Sequence, residues 1–297
     1  MRKISLVVIC LVLSARYAGG QVKLGATKIG SRIEVNIGGA LFTNYIFSAE
    51  EKYPFFFPLN GPSGASVTSM RNGNYPHHSS VFFGSDLVNG GNYWQEGLDR
   101  GQIVSLSAEI VKNGPDTVVI RNECIWKRPG AQAPIKDLRK ITITAPSKEL
   151  YQLDFDITLE ALLDITIQKT NHSLFSIRVD PDIAVINGGT MLNAEGKKSE
   201  KGTFGEPSAW IDCYGARQGK VEGVAILQHP SNYGYPYKWF TRDYGFFSPT
   251  PLFWPQDGKT TKFAKGDATT LRFRTLVHTG DAATAKIKEQ FQKYSQE

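Results

Sequence analysis

Cysteine is scarce in this sequence, with three residues in a chain of 297. Cys10 falls in an apolar N-terminal segment, which leaves Cys124 and Cys213 in the body of the chain. These two can form a disulfide in an oxidising compartment or remain buried thiols, and both alternatives stay open. No Cys-x-x-Cys pair occurs, so a cysteine-based zinc site is not expected.

Long apolar runs are also absent. The N-terminal run at residues 4–13 is too short for a membrane helix of about 20 residues. It follows Arg2 and Lys3 and precedes small residues at 18–20, a layout typical of a secretory signal peptide cleaved before Gln21. We therefore expect an exported protein, periplasmic or extracellular, with a leader at 1–20 and a single domain at 21–297. After cleavage we expect no integral membrane segment.

The chain has no strong excess of charge. Three of its 34 basic residues, Arg2, Lys3 and Arg16, and none of its 28 acidic residues lie in the leader, so cleavage lowers the formal net charge from +6 to +3. No block of five or more Lys or Arg residues occurs. Neither a nucleic acid nor an anionic membrane surface is therefore expected as a partner.

Several sequence motifs of common enzymes are missing. The chain contains no P-loop, no Gly-x-Gly-x-x-Gly, no Gly-x-Ser-x-Gly and no His-Glu-x-x-His. Their absence argues against an ATP-binding enzyme, a dinucleotide enzyme, an α/β-hydrolase and a zinc protease of that type.

The dominant pattern is instead an alternation of apolar and polar residues with a period of two. It predicts strands at residues 32–39, 102–111, 117–126, 140–144, 149–160, 162–170, 174–179, 221–229 and 270–279. Asn113-Gly114-Pro115-Asp116 reads as a hairpin turn between two of these strands. Strands follow strands without intervening helices, which favours a large antiparallel β-sandwich in one domain.

Helix signals are few. The best lies at the C-terminus, where Asp281 can cap a helix and Ile287, Phe291 and Tyr294 fall on one helical face. We expect a helix at about 282–295 that packs on the sandwich.

Three long irregular segments, residues 53–98, 187–218 and 229–258, carry most of the glycine, proline, histidine and tryptophan. Long loops on a rigid β scaffold commonly carry binding sites. Aromatic rings beside imidazole, guanidinium and carboxylate groups suit a sugar. The flat apolar face of a sugar stacks on a ring, while its hydroxyls bind polar groups. A carbohydrate is therefore the expected ligand.

Two histidines in these segments are the leading acid/base candidates. His77 and His78 are adjacent, so in a strand they would point to opposite faces, and we predict that His78 faces the pocket while His77 packs. His229, before Pro230 at the end of an apolar strand, is the second candidate. His278, on a period-two strand, is expected to be structural.

The other predicted site residues orient the substrate or form the walls of the cleft. The predicted catalytic set is His78, His229, Arg242 and Glu96, the last two orienting hydroxyls or a developing charge. The predicted substrate-binding set is His77, Trp94, Asn232, Trp239, Tyr244, His172 and Asp212. For any one tryptophan the alternative is a structural anchor, and for His172 a structural role stays equally open.

No metal or other cofactor is predicted. His78, His172 and His229 could in principle converge on a metal, but no close-spaced pair of ligands supports such a site. A glycosidase needs two carboxyl groups at a set distance. Glu96, Asp212 and Asp243 are the candidates for such a pair, and nothing in the sequence pairs them.

Four stretches occur in an order that resembles a known family: residues 75–97 (beginning YPHHSSVFFG), 189–200 (GTMLNAEGKKSE), 209–215 (AWIDCYG) and 223–251 (GVAILQHPSNYGYPYKWFTRDYGFFSPTP). Together they resemble the bacterial family labelled PmoA-like, or DUF6807, from about residue 30 to 280. The resemblance implies an exported β-sandwich similar to galactose mutarotase-like proteins, from bacteria that degrade saccharides. The matching polar positions are His77, His78, Trp94, Glu96, His229, Asn232, Trp239 and Arg242.

The label also suggests a methane monooxygenase subunit, which is an integral membrane protein. We do not expect that function here, because the mature chain has no apolar segment long enough to span a membrane. The sequence favours a carbohydrate-active enzyme acting on a glycoside or sugar derivative. The alternatives are a non-catalytic saccharide-binding or structural envelope protein and, third, a metal-dependent oxidase or lyase.

Overall fold

Antiparallel strands dominate the computed structural model, which describes residues 22–95, 97–168, 170–250 and 260–297. Its named strands form two eight-stranded sheets and one two-stranded sheet. The predicted leader at 1–20 and Glu96 lie outside the described residues. The all-β antiparallel sandwich predicted from the period-two pattern is confirmed.

The first sheet has the strand order β1-β2-β3-β4-β5-β11-β16-β15. Its strands are β1 (Leu24–Ile29), β2 (Arg32–Ile37), β3 (Ala40–Ile46), β4 (Phe55–Leu59), β5 (Val81–Ser85), β11 (Ser173–Arg178), β15 (Trp239–Arg242) and β16 (Phe246–Pro249).

The second sheet has the strand order β12-β13-β14-β18-β9-β8-β7-β6. Its strands are β6 (Gln102–Asn113), β7 (Val118–Lys127), β8 (Ile135–Ser147), β9 (Leu150–Ala161), β12 (Thr190–Asn193), β13 (Trp210–Arg217), β14 (Lys220–Gln228) and β18 (Ala268–Thr279). The small sheet pairs β10 (Ile165–Ile167) with β17 (Thr261–Phe263). The helical segments are 3-10 turns at Leu98–Arg100, Pro181–Ile183 and Val185–Asn187, and α-helices α1 (Ser199–Thr203) and α2 (Ile287–Tyr294).

Phenylalanine side chains hold the two large sheets face to face. The ring centroids of Phe56 in β4 and Phe155 in β9 lie 5.7 Å apart. Phe175 in β11 stacks on Phe273 in β18 at 4.9 Å. These contacts identify the inner faces of the sandwich. Burial of each phenylalanine ring contributes roughly 2 kcal/mol or more to the free energy of folding through the hydrophobic effect.

The inner contacts also fix which side chains point outward, because neighbours along a strand alternate between faces. On the first sheet, Phe82, Arg178 and Phe246 therefore lie on the outer face, and their strand registers agree. On the second sheet, Asp156 and Arg272 lie on the opposite outer face, since both directly neighbour the inward-facing phenylalanines. The two outer faces are separated by the full thickness of the sandwich.

The predicted strands are found, and the hairpin turn at residues 113–116 joins β6 to β7 as expected. The strands that the alternation did not predict include β4, β5, β13 and β16. Strand β5 is buried at every position and β16 likewise, so neither sequence alternates. The segment predicted as a strand at 162–170 keeps only the three residues of β10.

The C-terminal helix is confirmed and begins later than predicted. Asp281 accepts a hydrogen bond from the Thr284 backbone N–H, but this closes a turn ahead of the helix. Lys286 then takes a φ of 54°, a left-handed conformation that delays the start of α2 to Ile287. Tyr294 of α2 packs on the outer face of the second sheet.

No helix in the described part of the chain is both long enough and apolar enough to cross a membrane.

Candidate functional site

The pairing of β5 with β11 places Asp86 and His172 side by side. Ser85, the last residue of β5, pairs with Ser173, the first residue of β11. Asp86 and His172 are the next residues beyond this pair, and the Asp86 backbone N–H donates to the His172 carbonyl at 3.1 Å. Their side chains also meet, with 3.1 Å between His172 Nδ1 and Asp86 Oδ2.

This contact has the geometry of a carboxylate that orients an imidazole. The Asp86 side chain is buried, whereas 30% of the His172 side chain is exposed. Because a carboxylate accepts a hydrogen bond, the contact selects the tautomer with the proton on Nδ1 and leaves a lone pair on Nε2. An imidazole held in this way can act as a general base, and the carboxylate stabilises the imidazolium that forms.

Trp94 lies beneath two imidazole rings. His172 stacks on it at 4.7 Å between centroids with 19° between the planes, and His77 contacts it at 5.3 Å. Asn92 Oδ1 accepts the backbone N–H groups of Trp94 and Gln95, which fixes the turn that delivers the indole. Trp94 is 1% exposed. It therefore supports the two histidines and offers no free face to a sugar, contrary to its predicted role as a wall.

His77 lines an open cleft of about 630 Å³. The other lining residues, which include Glu51, Arg71 and Gln95, bring carboxylate, guanidinium and amide groups to the same space. Glu51 and Arg71 form an ion pair. Burial and then the charge of nearby His172 lower the pKa of His77, so its imidazole is neutral near pH 7.

His78 is buried between two aromatic rings. It stacks on Tyr75 at 5.0 Å and on Phe246 at 4.4 Å, and it is 2% exposed. Burial, followed by the charges of His77 and Arg178, lowers the pKa of His78 to about 2. The side chain is therefore a neutral packing group across the physiological range. The positions of His77 and His78 are the reverse of those predicted, because both lie in a turn and not in a strand.

Tyr244 and Arg242 flank the same outer face of the first sheet. Tyr244 stacks on Tyr75 at 4.3 Å. The Arg242 guanidinium lies 4.3 Å from the centroid of Phe240 and donates to Glu200 Oε1 at 2.8 Å. Phe240 in turn contacts His172 at 5.8 Å. The ring of Phe240 thus separates Arg242 from His172, and the charge of Arg242 is paired with Glu200.

His229 and Asn232 lie on the other side of the sandwich. His229 Nε2 is 2.8 Å from Arg272 Nη1, and its ring contacts Tyr294 of the C-terminal helix at 5.0 Å. Burial and the Arg272 charge lower the pKa of His229. Asn232 bonds both the backbone N–H and the carbonyl of Arg272. Since Arg272 points away from the first sheet, the pocket predicted to be shared by His78 and His229 is not present.

Two more predicted residues are fully buried and bonded to other parts of the protein. Asp212 is fully buried and accepts a hydrogen bond from His278 Nε2 at 2.9 Å, on the outer face of the second sheet. Trp239 is fully buried and donates through Nε1 to the Ser208 carbonyl at 2.9 Å. Neither side chain can reach a ligand in the cleft beside His77. The third carboxyl candidate of the sequence, Asp243, accepts the Glu200 backbone N–H.

The structure thus brings His77, His78, Trp94, His172 and Tyr244 together, with Arg242 at the edge. Asp86 was missed by the sequence prediction, and Arg178 was not among the predicted site residues. The Asp86 contact joins residues 86 positions apart, and only knowledge that β5 pairs with β11 would have shown it. Among the described residues, no three His, Cys, Asp or Glu side chains are grouped as a metal site would require. Cys124 and Cys213 are both buried free thiols.

The buried state of His78 predicts a pH dependence of folding. The unfolded chain protonates this histidine near pH 6.5, whereas the folded protein keeps it neutral down to about pH 2. Stability from this group is therefore complete above pH 6.5 and is lost as the pH falls. Relative to His78→Phe, the wild-type free energy of unfolding should fall by roughly 3 kcal/mol between pH 6.5 and 4. Urea unfolding at a series of pH values measures this, and parallel curves for the two proteins would contradict it.

Three solved structures show a distant likeness to this chain. The chain is similar to a provisionally named kojibiose phosphorylase from the human microbiome (7% identity, TM-score 0.35, covering 60% of this chain and 21% of that one). It is also similar to a polysaccharide lyase (12%, 0.34, covering 89% and 33%). A third is an aldose epimerase homologue from C. elegans (8%, 0.33, covering 87% and 100%). The chain spans about a fifth and a third of the first two, and likeness this distant assigns it no activity.

Among curated proteins, none matches the chain. A family profile does: the one described as "Family of unknown function (DUF6807)" matches residues 32–292, which is most of the sequence. The match confirms the resemblance seen in the histidine, tryptophan and glycine motifs. The protein belongs to the DUF6807 family.

Proposed function

We propose that this protein is an exported carbohydrate-active enzyme whose active site is the outer face of the first sheet, around His77, Trp94 and His172. One observation carries the proposal. A buried carboxylate, Asp86, bonds Nδ1 of a partly exposed imidazole, His172, and a second partly exposed imidazole, His77, shares the same tryptophan ring.

The reaction class is proton transfer on a saccharide. His172 Nε2 would take a proton from a hydroxyl or from a carbon made acidic by a neighbouring carbonyl. Asp86 would stabilise the imidazolium without accepting the proton itself. His77, neutral near pH 7, can donate one hydrogen bond and accept another, which suits a sugar hydroxyl in the cleft.

The cleft supports a saccharide-sized ligand. Its volume of about 630 Å³ lies within the range of pockets for small ligands, about 300–1,000 Å³. Glu50, Lys52 and Ser79 add a carboxylate, an ammonium group and a hydroxyl to the lining of the cleft. A mixture of donors and acceptors is what a polyhydroxylated ligand requires.

The site differs from the prediction in its acid/base groups. We assign the acid/base roles to His172 and His77 in place of His229 and His78. His78 is a packed ring on the same face, and His229 lies on the opposite face of the sandwich. Arg242 stays in the proposal as a group at the edge of the site. The non-catalytic alternative, a saccharide-binding protein, needs the same cleft but no orientation of His172 by Asp86.

Substitution of His172 tests the assignment. Purified protein is incubated with a library of neutral and acidic oligosaccharides, and products are detected by mass spectrometry. For any substrate found, His172→Ala should lower kcat by about 10²–10⁴-fold, because it removes the base. Asp86→Asn should lower kcat by about tenfold or more with little change in KM, because it keeps the shape but loses the carboxylate.

His229→Gln discriminates the two faces of the sandwich. It should leave turnover within about twofold of the wild type, since the residue lies on the second sheet. Loss of turnover in His229→Gln with full activity in His172→Ala would overturn the proposal. Retention of a saccharide by the wild type with no product would favour the binding protein.

Export is the part of the proposal that rests on the leader pattern alone. N-terminal sequencing of the protein recovered from the periplasm or medium of an expressing bacterium should begin at Gln21. A cytoplasmic protein that retains Met1 would contradict export without affecting the site.

A further inference from the structure

Arg178 is a buried cation that has no anionic partner in the part of the chain that the structure describes. It is the last residue of β11, it points to the outer face of the first sheet, and it is 5% exposed. Its Nε and Nη1 atoms are buried and have no hydrogen-bond partner among the described residues. No ion pair of Arg178 is found in that part of the chain either. Burial lowers the pKa of the guanidinium, which shows how poorly the surroundings replace water.

Two tyrosine rings cover this guanidinium. Its carbon lies 4.6 Å from the centroid of Tyr244 and 5.4 Å from that of Tyr75. Ring faces attract a cation, but they offer no acceptor to its N–H groups. The acidic residue closest in sequence, Asp180, accepts the Asp182 backbone N–H instead. Nε and Nη1 of Arg178 therefore have no acceptor among the described residues.

Buried charges in folded proteins are normally paired and hydrogen-bonded, because an unpaired one is costly. A site that leaves an arginine in this state is pre-organised for an anion that comes from outside. The planar guanidinium matches both oxygens of a carboxylate, and its single charge balances the single charge of that group. The nearby imidazole of His78 is neutral and adds no second cation, which makes a phosphate dianion the poorer match.

Arg178 also adjoins the proposed active site. Tyr75, which covers it, contacts His77 at 6.3 Å between ring centroids. His77 lines the open cleft, so Tyr75 contacts both a residue of the cleft wall and the guanidinium. Tyr75 and Tyr244 are both partly exposed, and movement of the Tyr75 ring would open the guanidinium to a group held in the cleft.

We propose that Arg178 binds a carboxylate carried by the saccharide, so that the ligand class of this site is an acidic sugar, a uronic acid or a chain that contains one. This inference rests on the proposed function, since it names the substrate class of the same site. Tyr75 and Tyr244 would contact the sugar ring while the guanidinium holds its charged group.

Binding and stability of Arg178→Met together test the inference. Titration calorimetry at constant ionic strength compares glucuronic and galacturonic acid with glucose and galactose, and inorganic phosphate serves as a further arm. The wild type should bind a uronic acid at least about tenfold more tightly than its neutral counterpart. Arg178→Met should abolish this preference. Arg121→Met, which removes an exposed arginine from the second sheet, should retain it.

Thermal unfolding separates this role from a structural one. Arg178→Met should unfold at the same or a higher temperature, because it removes an unpaired buried charge. A clear loss of stability together with an unchanged uronate preference would overturn the inference.

The remaining outcomes separate the inference from the proposed function. Equal binding of neutral and acidic sugars would overturn the carboxylate site and leave the proposed function standing. Uronate binding that depends on Arg178 but gives no turnover of uronate oligosaccharides would support the site and contradict the enzyme. Phosphate bound as tightly as uronate would overturn the carboxylate assignment, and no binding of any sugar would overturn both.

Discussion

Alternation of side chains along strands is the constraint on which the rest of this structure depends. Because each strand sends neighbouring residues to opposite faces, two stacked sheets create one shared inner space and two separate outer faces. Apolar side chains, phenylalanine among them, fill the inner space. Helix α2 packs on the outer face of the second sheet, where its Tyr294 ring lies against Arg274 of β18. The outer face of the first sheet carries imidazoles, a carboxylate and an unpaired guanidinium beside an open cleft.

Unsatisfied polar atoms help to locate the site on that face. Asp86 Oδ1, His78 Nδ1, and Nε and Nη1 of Arg178 are buried without hydrogen-bond partners in the described ranges. All three residues lie in or beside the aromatic cluster around Trp94 and Tyr75. A fold normally satisfies its buried polar groups, and exceptions tend to occur where function requires them. Asp212 and His278 on the second sheet also have unsatisfied atoms, so the open cleft beside His77 is the additional observation that supports a site on the first sheet.

Much of the fold could be predicted from the sequence, because amphipathic strands such as β7 and β9 alternate apolar and polar residues with a period of two. Strand β5 could not, since a strand buried on both faces has no alternation. Without β5 its pairing with β11 is unknown, and so is the contact between Asp86 and His172. The choice of His78 over His77 failed because strand geometry was applied to a turn, where adjacent residues need not face opposite ways.

The central claim is that the functional site lies on the outer face of the first sheet, at His77 and His172. The imidazole NMR signals of the five histidines test it directly, because both outer faces carry a histidine reporter. On titration with a saccharide that the protein retains or converts, the signals of His77 and His172 should shift, and those of His229 and His278 should stay in place. A shift of His229 with His77 and His172 unchanged would contradict the account.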